Sequence, residues 1–269
     1  MDRNVSTRWY SFLFSLLFAI SISSCRPVSD GMDAAAPIPD KDTLRVGVST
    51  NAPPIIFKQN GQVTGLEAAL AQKMGTFLNK KIVFIEVPWV KQIEYLNQGK
   101  TDIIMSGMTI TPQRKYLVDF ITPYLRSGQI MLVRLEDRRK FSNGISDLMN
   151  KNYRIGTVSD TTGDLFVTEA LTKVNEVNFK TSQEGVEALI KRNIDVLVYD
   201  APMVCHYAAV NQSEKLVPIL VMATEEYLSW AVRKNDADLK ERLNLFIRTI
   251  SENGELEKMI NSWIPYLNG

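Results

Sequence analysis

The stretch 106–120 carries the residues best suited to hold a small anion. Its sequence is SGMTITPQRKYLVDF, and it follows the apolar run 103–105. Arg114 supplies a guanidinium, whose planar fork of donors matches a carboxylate with two hydrogen bonds and stays charged at any relevant pH. Gly107 lets a ligand approach the backbone, and the Thr109 hydroxyl can donate or accept a hydrogen bond. The stretch therefore predicts a carboxylate clamp.

A second interpretation of Arg114 needs no ligand. Thr111 and Pro112 form a helix-start signal, which would make Arg114 a surface residue in the first turn of a helix. Both interpretations stay open from this stretch alone.

The elements that must position these residues follow an α/β pattern, because short apolar runs alternate with amphipathic stretches. The runs predicted as strands are Leu44–Val48, Lys81–Val87, Asp102–Met105, Gln129–Arg134, Arg154–Val158 and Asp195–Tyr199. The stretches predicted as helices are Gly65–Leu78, Val90–Gln98, Gly163–Leu171, Gln183–Arg192, a helix starting at Ala201, and Leu256–Trp263. The pattern restarts after Phe120, so we expect two α/β units with mainly parallel sheets.

The first 25 residues form a separate export segment. Arg3 and Arg8 precede an apolar run over 9–22, which is short for a bilayer span and ends in small residues. This predicts a cleaved signal peptide over 1–24. Ile22-Ser-Ser-Cys25 resembles a bacterial lipobox, which implies lipid attachment at Cys25; ordinary signal-peptidase cleavage nearby is the alternative. Residues 25–42, with three prolines and three consecutive alanines, are then lipid anchor and tether.

Composition excludes several classes of protein. The 269 residues are 45% hydrophobic, enough for one or two sizeable cores. A net charge of +1 without a long basic block indicates no nucleic-acid partner. The single histidine, His206, has no ligand cluster around it, so we expect a structural role for it and neither metal nor cofactor. If Cys25 is lipidated, Cys205 has no internal partner and is predicted to be a buried free thiol.

From Thr43 to the C-terminus the chain resembles the family 3 extracellular solute-binding proteins, the polar-amino-acid receptors of ABC importers. Seven stretches in family order carry the resemblance, and each alone is weak. They are Leu44–Phe57, Gly65–Leu70, Ser106–Phe120, Pro123–Gln129, Ile155–Gly163, Asp195–Asp200 and Asn253–Leu256.

The resemblance implies a type II periplasmic-binding-protein fold, with two α/β lobes joined by a two-strand hinge and the ligand in the cleft between them. The chain would cross twice between lobes, so that its C-terminal segment returns to the first lobe. This places lobe 1 at 43–123 plus 229–269, lobe 2 at 129–222, and the hinge at 124–128 and 223–228. Ligand binding would close the hinge.

The resemblance also gives roles to site residues. Arg114 would hold the carboxylate of an amino acid, supported by Thr109 and by backbone groups of Gly107 and of Thr161–Thr162. The latter pair opens a helix whose N-terminal amides favour anions. Asp200 would pair with the ammonium group.

Local alternatives remain for three of these positions. Asp200 precedes Ala201-Pro202, where an aspartate is a favoured helix cap, and it could serve as cap and ligand at once. Thr161 and Thr162 could likewise be helix-start residues only.

For the ligand side chain the family usually supplies two aromatic residues, and this chain has one of them. Trp89 matches the second of these positions, although it could instead pack in the interior after Pro88. At the first position this chain has Ala52. Some relatives carry an acidic residue after the first strand, where this chain has Ser49. Because this negative charge is missing, we expect the ligand to be a neutral polar or apolar amino acid. Glu67 would restore negative charge if it faced the cleft. Asp160 stands where relatives often have glycine and adds charge near the clamp.

The predicted function is a lipid-anchored substrate-binding protein that hands a free amino acid to an ABC permease. It would act as a monomer in the cell envelope, facing the periplasm or the outside of the cytoplasmic membrane. Two alternatives remain open. One is a sensory amino-acid-binding protein for a separate signalling partner, and the other is a dehydratase-like enzyme acting on a small cyclic carboxylic acid.

Overall fold

The computed structural model describes residues 42–149, 151–171 and 173–265. The predicted signal peptide, lipobox and lipidated Cys25, and the tether up to residue 41, lie outside the described residues. The strands are β1 Thr43–Val48, β2 Asn51–Ala52, β3 Ile56–Gln59, β4 Gln62–Thr64, β5 Lys81–Glu86, β6 Ile103–Ile104, β7 Asp119–Phe120, β8 Leu125–Ser127, β9 Gln129–Arg134, β10 Arg154–Val158, β11 Asn175–Phe179, β12 Val196–Asp200, β13 Leu216–Ile219, β14 Glu226–Leu228 and β15 Ala231–Val232.

The α-helices are α1 Leu66–Leu78, α2 Gln92–Asn97, α3 Pro112–Leu117, α4 Thr162–Ala170, α5 Ser182–Ile190, α6 Ala201–Val210, α7 Ala237–Glu252 and α8 Glu255–Trp263. Short 3₁₀ helices span Trp89–Lys91, Leu135–Phe141, Gly144–Leu148 and Gln212–Glu214. Among the described helices, none combines the length and apolar character needed to cross a bilayer.

Most predicted elements are present with shifted ends. Strands β9 and β10 have the predicted bounds, because both are buried apolar runs closed by charged or turn residues. The helix predicted over 90–98 differs more: a 3₁₀ turn follows Pro88, and the α-helix covers only Gln92–Asn97. Tight 3₁₀ turns are common at helix starts, and sequence periodicity does not separate them from α-helix.

Lobe 1 is built on a five-stranded sheet in the order β5-β1-β6-β15-β7. Strands β5, β1 and β6 are parallel, whereas β15 runs antiparallel to both β6 and β7. Strand β15 comes from the far end of the chain, and α7 and α8 follow it. The C-terminal segment therefore completes the first sheet.

Lobe 2 is built on the sheet β11-β10-β12-β9-β13. Its three parallel strands are β11, β10 and β12, and β9 pairs antiparallel with β12 and β13. The register of the β12–β9 pair places Asp200 directly opposite Gln129. This pairing brings two polar residues together at one edge of the sheet.

Two strands connect the lobes. β8 leads from the first sheet into the second, β14 leads back, and the two pair antiparallel over three residues. A Cβ atom on Gly128, just after β8, would collide with the carbonyl oxygen of Thr224, so only glycine allows the segments this close. Which residues bend between open and closed lobes stays a prediction.

Buried apolar side chains hold each sheet against its helices. In lobe 1, Trp230 is fully buried between Tyr124 and Phe246, with ring centroids 5.9 and 6.1 Å away. The free thiol of Cys205 is buried on α6, as predicted. Burial raises its pKa, and a small apolar side chain would pack in the same way.

The two lobes repeat one arginine–aspartate fork at the start of their first parallel strand. In lobe 1 the backbone N–H and Nε of Arg45 bond Asp102 Oδ2 at 2.9 and 3.0 Å, and Nη2 bonds Oδ1 at 2.7 Å. In lobe 2 Arg154 makes the same three bonds to Asp195 at 2.9, 3.2 and 2.7 Å. Each fork ties the strand to the loop before its parallel neighbour.

The two forks differ in solvent exposure. The side chains of Arg45 and Asp102 are 13% and 9% exposed, against 44% and 23% for Arg154 and Asp195. Burial opposes the ionisation of both aspartates, but the arginine bonds outweigh it and lower the pKa of each carboxyl.

We expect Asp102→Asn to destabilise the protein more than Asp195→Asn. The lobe 1 substitution leaves a largely buried guanidinium without its anion, which costs about 2–4 kcal/mol, whereas the exposed lobe 2 fork contributes about 1 kcal/mol. Urea denaturation followed by circular dichroism measures both, and each variant is the control for the other. Equal losses would contradict the assignment of the difference to burial.

Candidate functional site

The two lobes enclose a cavity of roughly 500 Å³, part of which opens to solvent. All nine predicted ligand-binding residues line it. The full lining is Ser49, Asn51, Ala52, Trp89, Ser106, Gly107, Thr109, Arg114, Val158, Thr161, Thr162, Lys180, Thr181, Ser182, Tyr199, Asp200 and Met203. Parallel strands of both sheets end at this cavity, which is where ligands bind in α/β folds.

Arg114 satisfies both interpretations of its sequence context. It lies in the first turn of α3, where the Thr111 hydroxyl accepts its backbone N–H at 3.1 Å. Its side chain turns into the cavity, where Nη1 donates to Thr109 O at 2.9 Å and the guanidinium lies 5.0 Å from the Trp89 ring centroid. Burial lowers the pKa of Arg114, whereas the negative charges of Asp200, Glu226 and Asp160 raise it. The guanidinium stays cationic.

Gly107 forms the turn that brings the backbone to the cavity, with φ of 63°. Its N–H donates to Glu67 Oε2 at 2.8 Å, and the Tyr124 hydroxyl donates to Glu67 Oε1 at 2.9 Å. Glu67 is fully buried and does not line the cavity, so it adds no charge to the cleft. Burial raises the pKa of Glu67 to about 8, although both donors oppose the shift. Glu67 therefore supports the Gly107 turn from behind.

Asp200 is the only carboxylate among the cavity-lining residues described above. It occupies the N-cap position of α6, yet its side chain makes no capping hydrogen bond. The residue is 5% exposed, and within the described residues its Oδ1 has no hydrogen-bond partner. Burial, followed by the charge of Glu226, raises the pKa of Asp200 to about 7, against the lowering effect of Gln129 and Arg114. An unpartnered buried oxygen of this kind suits a cationic ligand group.

Thr161 and Thr162 have different roles at the start of α4. Thr161 is the N-cap: its hydroxyl accepts Asp164 N–H at 3.4 Å and donates to Val158 O at 2.7 Å. The Thr162 hydroxyl instead donates to Glu226 Oε2 at 2.7 Å. The first amides of the nine-residue helix α4 lie at the cavity and favour an anion there.

Three hydrogen bonds join the lobes around the cavity. Asp160 O accepts Trp89 Nε1–H at 3.0 Å and Arg114 Nη2–H at 3.3 Å, while the Ser182 hydroxyl donates to Asn51 O at 2.6 Å. Asp160 has a left-handed φ of 60°, which explains why glycine suits this position. Trp89 is half-buried, contacting both the lobe 1 core and the cavity.

Sequence reasoning missed the loop Lys180–Ser182 and Glu226 of β14. The loop had a detectable signal, because Thr181 and Glu184 have the spacing of a capping box after a strand; Glu184 N–H donates to the Thr181 hydroxyl at 3.2 Å. Glu226 had no such signal, since three of its four hydrogen-bond partners lie 64 to 117 residues away in the chain.

Three comparisons with known proteins agree. The model of the bacterial extracellular solute-binding proteins, family 3, matches residues 44–266. A probable histidine-binding protein of Neisseria gonorrhoeae is 32% identical over 248 residues, 90% of each chain. ABC transporter arginine-binding protein 1 of Escherichia coli (strain K12) is 27% identical over 234 residues, 83% of this chain and 91% of its own.

One solved structure bears on both the fold and the enzyme alternative. It is an ancestral amino acid-binding protein described as a precursor of cyclohexadienyl dehydratase. Its TM-score is 0.76 at 32% identity, over 83% of this chain and 95% of its own. The expected two-lobed binding-protein fold is confirmed.

We expect Asp200→Asn to stabilise the ligand-free protein most at alkaline pH. The pKa of Asp200 is raised above the ordinary 3.8 to about 7, so its contribution to stability is full at low pH and is lost as pH rises through 7. Asparagine removes this loss, on the order of 2–4 kcal/mol at pH 8 and less at pH 5. Melting temperatures at both pH values measure the effect.

The matched control is Asp238→Asn, which changes an exposed aspartate of α7 far from the cavity. Its effect should be the same at both pH values. An Asp200→Asn effect that did not grow between pH 5 and pH 8 would contradict the buried, protonated state of this carboxyl.

Proposed function

The chain belongs to the bacterial extracellular solute-binding proteins of family 3, and on that premise we propose how its cavity holds a free amino acid. It is the substrate-binding protein of an ABC-type amino acid importer. Members of this family act outside the cytoplasm. The proposal adds the residues that bind the ligand, the class of its side chain and the lipid anchor at Cys25.

One observation carries the proposal: the guanidinium of Arg114 from lobe 1 and the carboxylate of Asp200 from lobe 2 line the same cavity, and Oδ1 of Asp200 has no hydrogen-bond partner among the described residues. Arg114 and Asp200 are complementary to the carboxylate and ammonium groups that every free amino acid has. Arg114 supplies the fork, and the first amides of α4, from Thr162 onward, add donors for the carboxylate. Asp200 binds the ammonium, which replaces the missing partner of Oδ1.

The same arrangement explains why binding would close the cleft. A ligand held by lobe 1 through Arg114 and by lobe 2 through Asp200 bonds fully only when the lobes approach. The bonds of Asp160 O to Trp89 and Arg114 then add to the closed state. Ligand binding energy therefore shifts the population toward closure.

The side-chain end of the cavity favours an uncharged amino acid. Ser49 and Ala52 lie there in place of an acidic and an aromatic residue, and the ammonium-bearing Lys180 also lines the cavity. Asp200 binds the ligand ammonium, so the side chain of a cationic amino acid would have no anionic partner among the described lining residues. Two relatives are named for histidine and arginine, and we propose neither amino acid as the ligand of this chain.

The receptor interpretation has separate consequences from the two alternatives. A transport receptor returns its ligand unchanged, whereas a dehydratase-like enzyme does not, so mass spectrometry of ligand recovered after long incubation separates them. The sensory alternative predicts a signalling partner instead of an ABC permease as the protein that binds the closed form. Relatives named as amino-acid-binding proteins support the transport receptor.

Arg114→Ala should lose about 2–5 kcal/mol of binding, roughly 30- to 5,000-fold in Kd, because a desolvated carboxylate would lack its cation. Isothermal titration with the amino acid that most raises the melting temperature of the wild type measures this. The control is Arg248→Ala, an exposed arginine of α7 remote from the cavity. Unchanged affinity in the Arg114 variant would remove this residue from the site.

Ser49→Asp should shift the ligand preference toward lysine and arginine. The new carboxylate would supply the anion that a cationic side chain lacks in the present cavity, so affinity for these two amino acids should rise by about tenfold or more. A thermal-shift panel of the common amino acids compares the variant with the wild type. Ser213→Asp adds the same charge on an exposed turn, and an equal shift there would rule out a local effect.

A further inference from the structure

Glu226 is a buried carboxylate of the hinge strand β14 that does not line the cavity. It is 7% exposed and accepts four hydrogen bonds. Oε2 accepts from the hydroxyls of Thr109 and Thr162 at 2.8 and 2.7 Å. Oε1 accepts from the Thr224 hydroxyl at 2.8 Å and from Gln129 Nε2 at 3.2 Å. The acceptor sites of this carboxylate are thus filled from four separate segments of the chain.

The two partners of Oε2 belong to different lobes. Thr109 follows β6 of lobe 1, Thr162 begins α4 of lobe 2, and both line the cavity. One oxygen atom of the hinge therefore holds a hydroxyl from each wall of the cleft. No other described residue of the hinge strands bonds side chains of both walls.

These bonds also determine whether the two threonine hydroxyls donate hydrogen bonds to a ligand or accept them from it. A hydroxyl has one proton to donate, and Thr109 and Thr162 donate theirs to Glu226. Thr109 Oγ1 then keeps both lone pairs, whereas Thr162 Oγ1 keeps one, because it also accepts Gln129 Nε2–H at 3.1 Å. Such an oxygen accepts from an ammonium group and repels a carboxylate, which favours an ammonium position beside Asp200.

We propose that Glu226 is a positioning residue that holds Thr109 and Thr162 as hydrogen-bond acceptors and so builds the ammonium end of the amino acid site from behind. The inference rests on the proposed function. It assigns the Thr109 hydroxyl to the ligand ammonium, whereas the resemblance placed it beside the carboxylate. It also makes one hinge side chain responsible for the spacing of both cavity walls.

The charge of Glu226 acts on the same end of the site. After burial, it is the larger of the two charge effects on the pKa of Asp200, and Arg114 opposes it. Other polar groups that interact with Asp200 are Gln129, which lowers its pKa, and the hydroxyls of Tyr199 and Tyr124. Burial is the main cause that raises the pKa of both tyrosines, and Asp200 adds to it. Lys180 lines the same cavity. Removing the Glu226 charge should therefore make Asp200 easier to ionise.

Two substitutions separate charge from position. Glu226→Gln removes the charge but can keep the geometry, because its amide can donate to Gln129 Oε1, which has no partner among the described residues. Glu226→Asp keeps the charge but is one methylene shorter and cannot reach both threonines. Glu225→Gln is the control, since its exposed side chain bonds Tyr227 and Arg126 away from the cavity.

The first measurement needs no ligand. The melting temperature of the protein relative to its Asp200→Asn counterpart is followed from pH 5 to 9. The difference levels off at the pH where Asp200 ionises in the folded protein, and this pH is the midpoint of the Asp200 titration. We expect Glu226→Gln to lower this midpoint by about one pH unit or more, with no shift in Glu225→Gln or in Glu226→Asp. A midpoint unchanged in Glu226→Gln would overturn the electrostatic part of the inference.

The second measurement is titration with the amino acid that binds the wild type. Glu226→Asp and Thr109→Val should each weaken binding by about tenfold, because the ammonium loses a positioned acceptor. Affinities within twofold of the wild type in both variants would overturn the positioning role. If the wild type binds no amino acid, the proposed function fails, while the ligand-free titration still decides the effect of Glu226 on Asp200.

Discussion

The antiparallel pair β8–β14 is the constraint on which the site depends, because it is where the chain passes from one lobe to the other and back. Its short length keeps the two sheets close enough for the ends of β6, β10 and β12 to share one cavity. It also carries Glu226 to the point where both cavity walls meet. Gly128, which a larger residue could not replace without collision, preserves the close approach of the two connecting segments.

The ion pairs that stabilise the lobes and the buried carboxylate of the site lie in different parts of the molecule. Each lobe has its own arginine–aspartate fork, at the start of a parallel strand, and the largest cluster of buried apolar side chains includes residues of both lobes. At the cavity, by contrast, Asp200 is buried without a partner for one oxygen and with an unfavourable neighbour in Glu226. In the proposed mode of binding, the ligand ammonium supplies the missing cation and stabilises the closed form.

We expect charge, more than shape, to decide which class of amino acid the cavity binds. In the proposed site, Arg114 and Asp200 bind the two groups common to all free amino acids, so they contribute affinity without selecting a side chain. We expect the ligand side chain to be selected by Ser49, Ala52, Trp89 and Lys180. At Ser49 and Ala52 this chain departs from the residues that the resemblance implies. Relatives named for histidine and arginine are 32% and 27% identical to this chain, and specificity between such ligands is a difference of affinities that one attractive or repulsive charge can set.

By itself, the sequence determined the alternation of strands and helices, the position of most of them, the family, and nine residues that do line one cavity. Each of these rests on local signals: apolar runs, helix-start residues and short motifs within about 15 residues. Tertiary structure alone decided the antiparallel placement of β9, β13 and β15, the buried support of Gly107 by Glu67, and the place of Glu226 behind the site. Those features come from contacts between segments 40 to 130 residues apart, and no local pattern encodes which distant partners a buried polar side chain will find.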